Sequence, residues 1–288
     1  IQALRICQQK LRRNKVRRMR LVATEACRRA ENGAEFMQRI QRETGLRLEI
    51  IKPEEEAQLA VISCAPLVNR KTHNLLVVDI GGGSTELVWI DISKVPKADR
   101  AQSIMRLHGG FYQAKTDVPA ARVVDWISVP LGVATLRDQF SDVEDDAARF
   151  ALMSWFFEEN LTDFTPYQST QSQDHFQIVG TSGTVTTVAA SHLGLKRYDR
   201  TKVDGLRMSS TQIDKVIHSY LAMGPAGRRA DPRIGQDRQA LIMSGAAILQ
   251  ALMRCWPTNR LSVADRGLRE GLLYAQMSAD GVLEEGLC

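Results

Sequence analysis

Three consecutive glycines between two β-rich segments constrain the fold of this chain more than any other feature. Residues 74–80 read Asn-Leu-Leu-Val-Val-Asp-Ile and predict a buried strand, and residues 84–92 predict a second strand after the turn at Gly81, Gly82 and Gly83. A dinucleotide fingerprint requires a helix after its glycines, and a Walker loop requires Gly-Lys-Ser/Thr, so neither motif fits. The sequence therefore predicts a hairpin with glycines at its tip, where they permit positive φ and a close approach of the backbone to a ligand.

Two carboxylates flank this turn, because Asp79 ends the first strand and Glu86 lies early in the second. Successive backbone N–H groups in a glycine turn can form a concave anion site. Hard oxygen ligands beside a phosphate are what Mg²⁺ prefers. An ordinary tight turn is the alternative interpretation, but the flanking acids favour a phosphate site with a magnesium ion.

A second glycine turn follows another predicted strand, at residues 176–180, and precedes a predicted helix at 184–193. The N-terminus of a helix binds anions through its unsatisfied N–H groups. Alone, this turn is equally well explained as a helix cap. Together with the first turn, it predicts that two phosphates are held at once.

Helical and extended patterns alternate along the 288 residues, which indicates the α/β class and leaves room for two domains. A helix is predicted at about 25–43 and another at 54–63. Residues 93–122 are weakly patterned and are predicted to form a long loop. Further strands are expected at 122–129 and 261–264.

The chain carries a net charge of +5, and an excess of basic residues favours a polyanionic partner. Much of the excess lies between Lys10 and Arg20, where the solvated face of a helix is the simpler interpretation. Aromatic residues do not interleave with these cations, so specific nucleic-acid binding is not expected. No apolar run reaches the roughly 18 to 20 residues that span a bilayer, and no membrane association is expected.

The five cysteines are scattered and form no CxxC pair, so neither a disulfide framework nor a zinc site is predicted. Reduced cysteines are typical of a cytoplasmic protein, and we expect that location.

Residues 78–88, Val-Asp-Ile-Gly-Gly-Gly-Ser-Thr-Glu-Leu-Val, resemble the signature of the exopolyphosphatase / guanosine pentaphosphate phosphatase (Ppx/GppA) family. Supporting matches occur in order along the chain, which makes the resemblance more specific than any single motif. They are Ala23-Thr24 with Ala26 and Arg28, Glu55-Glu56-Ala57, residues 130–133, residues 180–184, Asp231-Pro232-Arg233 through Ser244-Gly245, and residues 265–271.

The resemblance implies the fold of the actin, hexokinase and heat-shock ATPase superfamily, with two ribonuclease-H-like domains and an active site in the cleft between them. Residues 1–53 would be the remainder of the first domain and residues 54–273 the second, with residues 274–288 as a candidate segment that packs back on the first. The family's opening Asp-x-Gly hairpin does not precede Ile1. We therefore expect a short, two-domain member whose sequence lacks the N-terminal part of the first domain here.

The resemblance also implies roles for particular residues. Glu56 would be the general base that activates water, Asp79 and Glu86 would hold Mg²⁺ and help place the nucleophile, and Arg28 would contact a phosphate. The remaining phosphate contacts would come from the backbone of Gly81, Gly82, Gly83, Ser84, Gly180, Thr181, Ser182, Gly183 and Thr184.

The implied activity is hydrolysis of the terminal phosphoanhydride bonds of inorganic polyphosphate, with release of orthophosphate. One alternative substrate is guanosine pentaphosphate, which would connect the chain to the stringent response. An ATP-using enzyme of the same superfamily and a non-catalytic phosphate or alarmone sensor are further alternatives. The resemblance suggests a homodimer.

Overall fold

The structure is a computed structural model that describes residues 1–111, 119–168 and 175–282. The chain separates into two compact units, Ile1–Glu56 and Ala57–Cys288. The predicted domain assignment, with its boundary after residue 53 and residues 274–288 packing on the first domain, stays a prediction. None of the helices in the described ranges combines the length and apolar character that a bilayer crossing requires.

The first unit contains two short parallel strands and three helices, and a fourth helix starts at its end. Val22 pairs with Glu49 and Ala23 with Ile50. Its elements are α1 (Gln2–Arg13), β1 (Val22–Ala23), α2 (Glu25–Arg29), α3 (Gly33–Thr44), β2 (Glu49–Ile50) and the first turn of α4 (Pro53–Cys64).

The single helix predicted over residues 25–43 is wrong, because α2 and α3 are separate helices. Ala30 is extended, with ψ of 127°, which ends α2. Gly33 then begins α3 so close to α2 that a Cβ on it would lie 2.2 Å from the Cys27 carbonyl oxygen. Apolar periodicity continues across this break, and so the pattern alone did not reveal it.

The second unit is a six-stranded sheet covered by helices. Its strands are β3 (Asn74–Ile80), β4 (Thr85–Asp91), β5 (Arg122–Val129), β6 (Phe176–Thr181), β7 (Arg207–Met208) and β8 (Leu261–Ala264). Its helices, after α4, are α5 (Arg100–Met105), α6 (Val133–Gln139), α7 (Asp146–Glu159), α8 (Gly183–His192), α9 (Arg200–Val203), α10 (Ser210–Ala230), α11 (Ile242–Cys255) and α12 (Leu268–Ala279).

The strand order is β5-β4-β3-β6-β8-β7. β4 is antiparallel to β3 and β5, β6 is parallel to β3 and β8, and β7 is antiparallel to β8. Counted from β3 along the chain, the six strands therefore lie in the order 3-2-1-4-6-5, with the second strand antiparallel to its neighbours. When the two-residue edge strand β7 is left out, this is the 3-2-1-4-5 order of a ribonuclease-H-like sheet. The predicted α/β class is confirmed, and so is the hairpin at the glycines, in which Asp79 pairs with Glu86.

Each face of this sheet is covered by its own apolar core. On one face, Leu76 and Val78 pack with residues of α7, α8, α10 and α11. On the other face, Leu75 and Val77 pack with Val61 and other residues of α4. Because side chains alternate along a strand, Asp79 lies on the same face as Leu75 and Val77, at the end of β3.

The long loop predicted over residues 93–122 is wrong in part, because it contains α5, while residues 112–118 lie outside the described ranges. Arg100 at the start of α5 is buried, and its guanidinium donates to the carbonyl oxygens of Val95 at 3.2 Å and Arg70 at 2.5 Å. Burial of a charged residue is uncommon, so a helix held in this way gives little apolar signal in the sequence.

Candidate functional site

Four polar side chains form a row across the sheet where the glycine turns begin. Asp79 pairs with Glu86 on one side and with Thr181 on the other, and Glu86 pairs with Ser128. Directly paired residues of neighbouring strands point to the same face, so the two predicted metal ligands stand side by side.

The two carboxylates of this row have different surroundings. Glu86 is only 2% exposed, and one of its oxygens accepts hydrogen bonds from the Ser84 hydroxyl at 2.6 Å and the Ser128 hydroxyl at 2.9 Å. These bonds offset part of the cost of burying a carboxylate. Asp79 is half-buried and lines a pocket, so it is the carboxylate of the pair that faces open space.

The carbonyl oxygens of the first glycine turn are bound by the start of α6. Val133 N–H donates to Gly81 O at 3.0 Å, and Ala134 N–H donates to Gly82 O at 2.9 Å. The Thr135 hydroxyl lies 3.3 Å from Gly83 O. The three helix residues thereby hold all three glycine carbonyls on one side of the turn.

This arrangement fixes the direction of the turn's amides. In a trans peptide the N–H of one residue points away from the carbonyl of the residue before it, and the described chain contains no cis peptide. The amides of Gly82, Gly83 and Ser84 therefore point away from α6. These amides donate to no backbone acceptor in the described part of the chain, which leaves them able to bind an anion.

Positive φ, the reason predicted for the glycines of this turn, is not observed. Gly81, Gly82 and Gly83 are not among the described glycines with positive φ, so that expectation is wrong. Close packing instead explains Gly81 and also Gly132, which precedes α6 and lies against the turn. A Cβ on Gly132 would lie 2.5 Å from Gly81 O, and a Cβ on Gly81 would lie 2.9 Å from Ser84 O.

Gly132→Ala is expected to lower the free energy of unfolding by about 1–3 kcal/mol, the usual cost of overpacking, because backbone atoms cannot move away from the added methyl group. Denaturant unfolding monitored by circular dichroism measures this change. Gly82→Ala is the matched control, since a Cβ there has no neighbour within 4 Å. Equal losses in the two variants would contradict the packing explanation.

The second glycine turn begins where β6 ends. Gly180 lies within β6 and pairs with Val78 on one side and Val263 on the other, so it belongs to the sheet. The Ser182 hydroxyl caps α8 by accepting the Val185 N–H at 3.0 Å. Gly183 follows as the first residue of α8, at the end of the helix that favours anions.

Arg238 was not predicted from the sequence, and the structure brings its guanidinium directly against Gly183. A Cβ on Gly183 would lie 2.0 Å from the Arg238 Cζ atom. The two residues are far apart in the chain, and no local pattern around Arg238 indicates the contact. A cation therefore stands beside the N-terminus of α8, which reinforces an anion site there.

A pocket of about 710 Å³ extends from Asp79 past the second turn. Its wall contains six basic residues against four acidic ones, so it favours anions. The basic residues are Lys196, Arg197, Arg233, Arg238, Arg266 and Arg269, and the acidic ones are Asp79, Asp237, Asp265 and Glu270.

Asp79 and Glu86 fit a magnesium ion by their chemistry and placement. They are paired carboxylates, and Asp79 faces the pocket. In the described ranges no group of three or more His, Cys, Asp or Glu side chains is arranged to hold a metal ion. An ion here would complete its shell with water and substrate oxygens, which is the usual form of a Mg²⁺ site.

In the first unit, the structure brings Arg28 and Glu56 together. The Arg28 guanidinium donates to Glu56 Oε2 at 2.8 Å, to Glu25 Oε2 at 3.0 Å and to the Ile51 carbonyl at 2.8 Å. Burial raises the pKa of the Glu56 carboxyl, although the Arg28 hydrogen bond and charge act in the opposite direction. The side chains of Arg28 and Glu56 are only 14% and 12% exposed.

These motifs agree with a match over nearly the whole chain, since residues 1–280 match the model of the Ppx/GppA phosphatase family. The chain belongs to the Ppx/GppA family. The resemblance found in the sequence is thereby confirmed.

Two curated Ppx/GppA relatives carry different names. The chain is 26% identical over 261 residues to the guanosine-5'-triphosphate,3'-diphosphate pyrophosphatase of Aeromonas salmonicida. The aligned region covers 89% of this chain and 44% of that protein. It is 23% identical over 266 residues to exopolyphosphatase 1 of Mycobacterium leprae, and this alignment covers 90% of this chain and 68% of that protein. The chain therefore spans less than half the length of the first relative.

Solved structures share the fold. The Ppx/GppA family member of Aquifex aeolicus is 29% identical, with a TM-score of 0.72 over 97% of this chain and 80% of that one. An exopolyphosphatase from Cytophaga hutchinsonii has a TM-score of 0.76 at 21% identity, over 98% of this chain and 81% of that one. The chain has the actin-like ATPase superfamily fold of these neighbours.

Proposed function

We propose that this chain hydrolyses the terminal phosphoanhydride bonds of inorganic polyphosphate and releases orthophosphate. The observation that carries the proposal is the glycine turn between the paired carboxylates Asp79 and Glu86, whose three amides point away from α6. The basic excess of the pocket supports a polyanionic substrate. The name of the M. leprae relative supports polyphosphate in particular.

In this proposal the amides of Gly82, Gly83 and Ser84 bind the oxygens of one phosphoryl group. The N-terminus of α8 and Arg238 bind a neighbouring phosphate. Asp79 accepts a hydrogen bond from the attacking water and orients it. Mg²⁺, held by Asp79 and, directly or through water, by Glu86, would neutralise charge that develops on the transferring phosphoryl group.

Glu56 is the proposed general base. A base must be ionised to accept the water proton, and it works best when its pKa lies near the operating pH. Burial raises the pKa of Glu56 in that direction. Arg28 limits the rise and holds the carboxylate in place, in addition to the phosphate contact predicted for it.

Arg28→Met is expected to move the acidic limb of the rate profile to higher pH. The Arg28 hydrogen bond and charge lower the pKa of Glu56, so their removal raises it, and the base is then ionised only at higher pH. The dependence of kcat/KM on pH measures this shift. Arg29→Met is the control, because Arg29 is exposed and its ion pair with Glu25, at 3.8 Å, does not involve Glu56. If KM rises but the acidic limb does not move, Arg28 contacts the phosphate and does not influence the ionisation of Glu56.

Guanosine pentaphosphate is the second candidate substrate, and the name of the A. salmonicida relative favours it. Phosphate release by the full chain from polyphosphate, guanosine pentaphosphate and ATP, with and without Mg²⁺, separates the candidates. We expect polyphosphate to give the highest kcat/KM and the rate to require Mg²⁺. Absence of release from all three would overturn the hydrolase proposal, and binding without release would favour a sensor.

A further inference from the structure

We propose that the pocket beside α8 binds the part of a polyphosphate chain that extends beyond the glycine turns, with Lys196 and Arg197 as its cations. This inference rests on the proposed function and adds a site that selects long chains. It is carried by the shape of the pocket and by the pairing of its charges.

One face of α8 forms a wall of the pocket. Gly183, Thr186, Thr187 and Ala190 all line it. Their spacing of three, four and seven residues places them on a single helix face, and seven residues of helix rise about 10 Å. The pocket is therefore elongated, and only its Gly183 end lies at the second glycine turn.

The chain then turns back along this wall. Gly194 adopts φ of +67°, which favours glycine, and Leu195 N–H donates to Ala190 O at 3.0 Å. Leu195 therefore lies at the level of Ala190, far along the helix from Gly183, and the next two residues, Lys196 and Arg197, line the same pocket.

Within the described part of the chain, no acidic side chain forms an ion pair with either of these two cations. Lys196 and Arg197 are both exposed. Nearby cations differ, because Lys202 pairs with Asp199 at 3.6 Å and Arg233 pairs with Asp231 at 2.5 Å. Two adjacent cations with full charge on one wall can follow successive phosphates of a linear polyanion.

The hydroxyl groups of the α8 wall do not contribute to phosphate binding. The hydroxyls of Thr186 and Thr187 donate to carbonyl oxygens within α8, at 3.0 Å from Ser182 O and 2.6 Å from Gly183 O. The wall therefore provides shape and space, while the attraction comes from the segment opposite it. In this proposal a short ligand held at the glycine turns leaves that segment unoccupied.

Binding by the full chain tests the inference, with Glu56→Gln as the background so that the ligand is not consumed. Titration calorimetry compares long-chain polyphosphate, tripolyphosphate and guanosine pentaphosphate, with and without the double substitution Lys196→Gln and Arg197→Gln. We expect the affinity for the long chain to fall at least about tenfold relative to tripolyphosphate, and its salt dependence to weaken by about two ions.

The control is the pair Arg207→Gln and Arg229→Gln, two exposed cations outside the pocket with the same total charge change. It is expected to leave the affinity ratio unchanged. Equal losses for both polyphosphates, no loss for either, or a loss confined to guanosine pentaphosphate would overturn the inference. Length-dependent binding by a wild-type chain that releases no phosphate would refute the hydrolase proposal and leave this site standing.

Discussion

Replacing Glu56 with Gln is expected to reduce kcat for phosphate release from polyphosphate by about 10²–10⁴-fold, the usual contribution of a general base. Glutamine has the shape of glutamate, and its carbonyl oxygen can still accept the Arg28 hydrogen bond that now lies at 2.8 Å. It cannot accept the proton of water. We therefore expect KM to change much less than kcat.

The pH profile makes this prediction specific. Burial raises the pKa of Glu56, so the acidic limb of the wild-type profile should lie above the range of an ordinary glutamate. That limb depends on ionisation of the base. The pH profile of the residual rate of the glutamine variant should therefore have no acidic limb.

Glu54→Gln is the matched control, because it makes the same chemical change two residues earlier in the acidic first turn of α4. It is expected to leave both kcat and the acidic limb in place. Activity retained by Glu56→Gln, with its thermal unfolding unchanged, would exclude Glu56 as the base.

Replacing Asp79 with Asn is expected to weaken Mg²⁺ binding by more than about 100-fold, because the loss of a partner that only orients a metal ligand already costs 10- to 100-fold. Asp79 is the carboxylate of the polar row that faces the pocket, whereas Glu86 is held by two serine hydroxyls. Asparagine keeps the size and one oxygen but removes the negative charge.

Thermal unfolding as a function of Mg²⁺ measures this without any turnover. A ligand that binds only the folded state at 100 times its Kd stabilises it by about 2.7 kcal/mol, so the wild-type midpoint should rise with Mg²⁺. The Asn variant should show almost no rise at the same concentrations, and its hydrolysis should fall in parallel.

Asp237→Asn is the control for Asp79, since Asp237 is an exposed acid of the same pocket outside the polar row. Its midpoint should rise with Mg²⁺ as in the wild type. An equal rise for Asp79→Asn would place any bound Mg²⁺ away from this row.

Elements that depend on local pattern were predictable. The strands Asn74–Ile80, Arg122–Val129 and Leu261–Ala264 have the bounds expected, because each is a short segment in which β-branched, aromatic or other apolar residues predominate. The helix break after Arg29 was missed, since it depends on how Gly33 packs against Cys27 and not on any loss of apolar spacing.

Local sequence was enough to predict the hairpin with its two carboxylates, because strand propensity and three glycines are properties of neighbouring residues. It also determined the family, because ordered motifs survive in the linear chain. The direction in which the turn faces could be read only from the folded chain, since the α6 residues that bind its carbonyls lie about fifty positions further along the sequence. It alone brought Arg238 to Gly183 and Lys196 to the pocket wall. Contacts between distant segments depend on how helices pack on the sheet, and no local pattern encodes them.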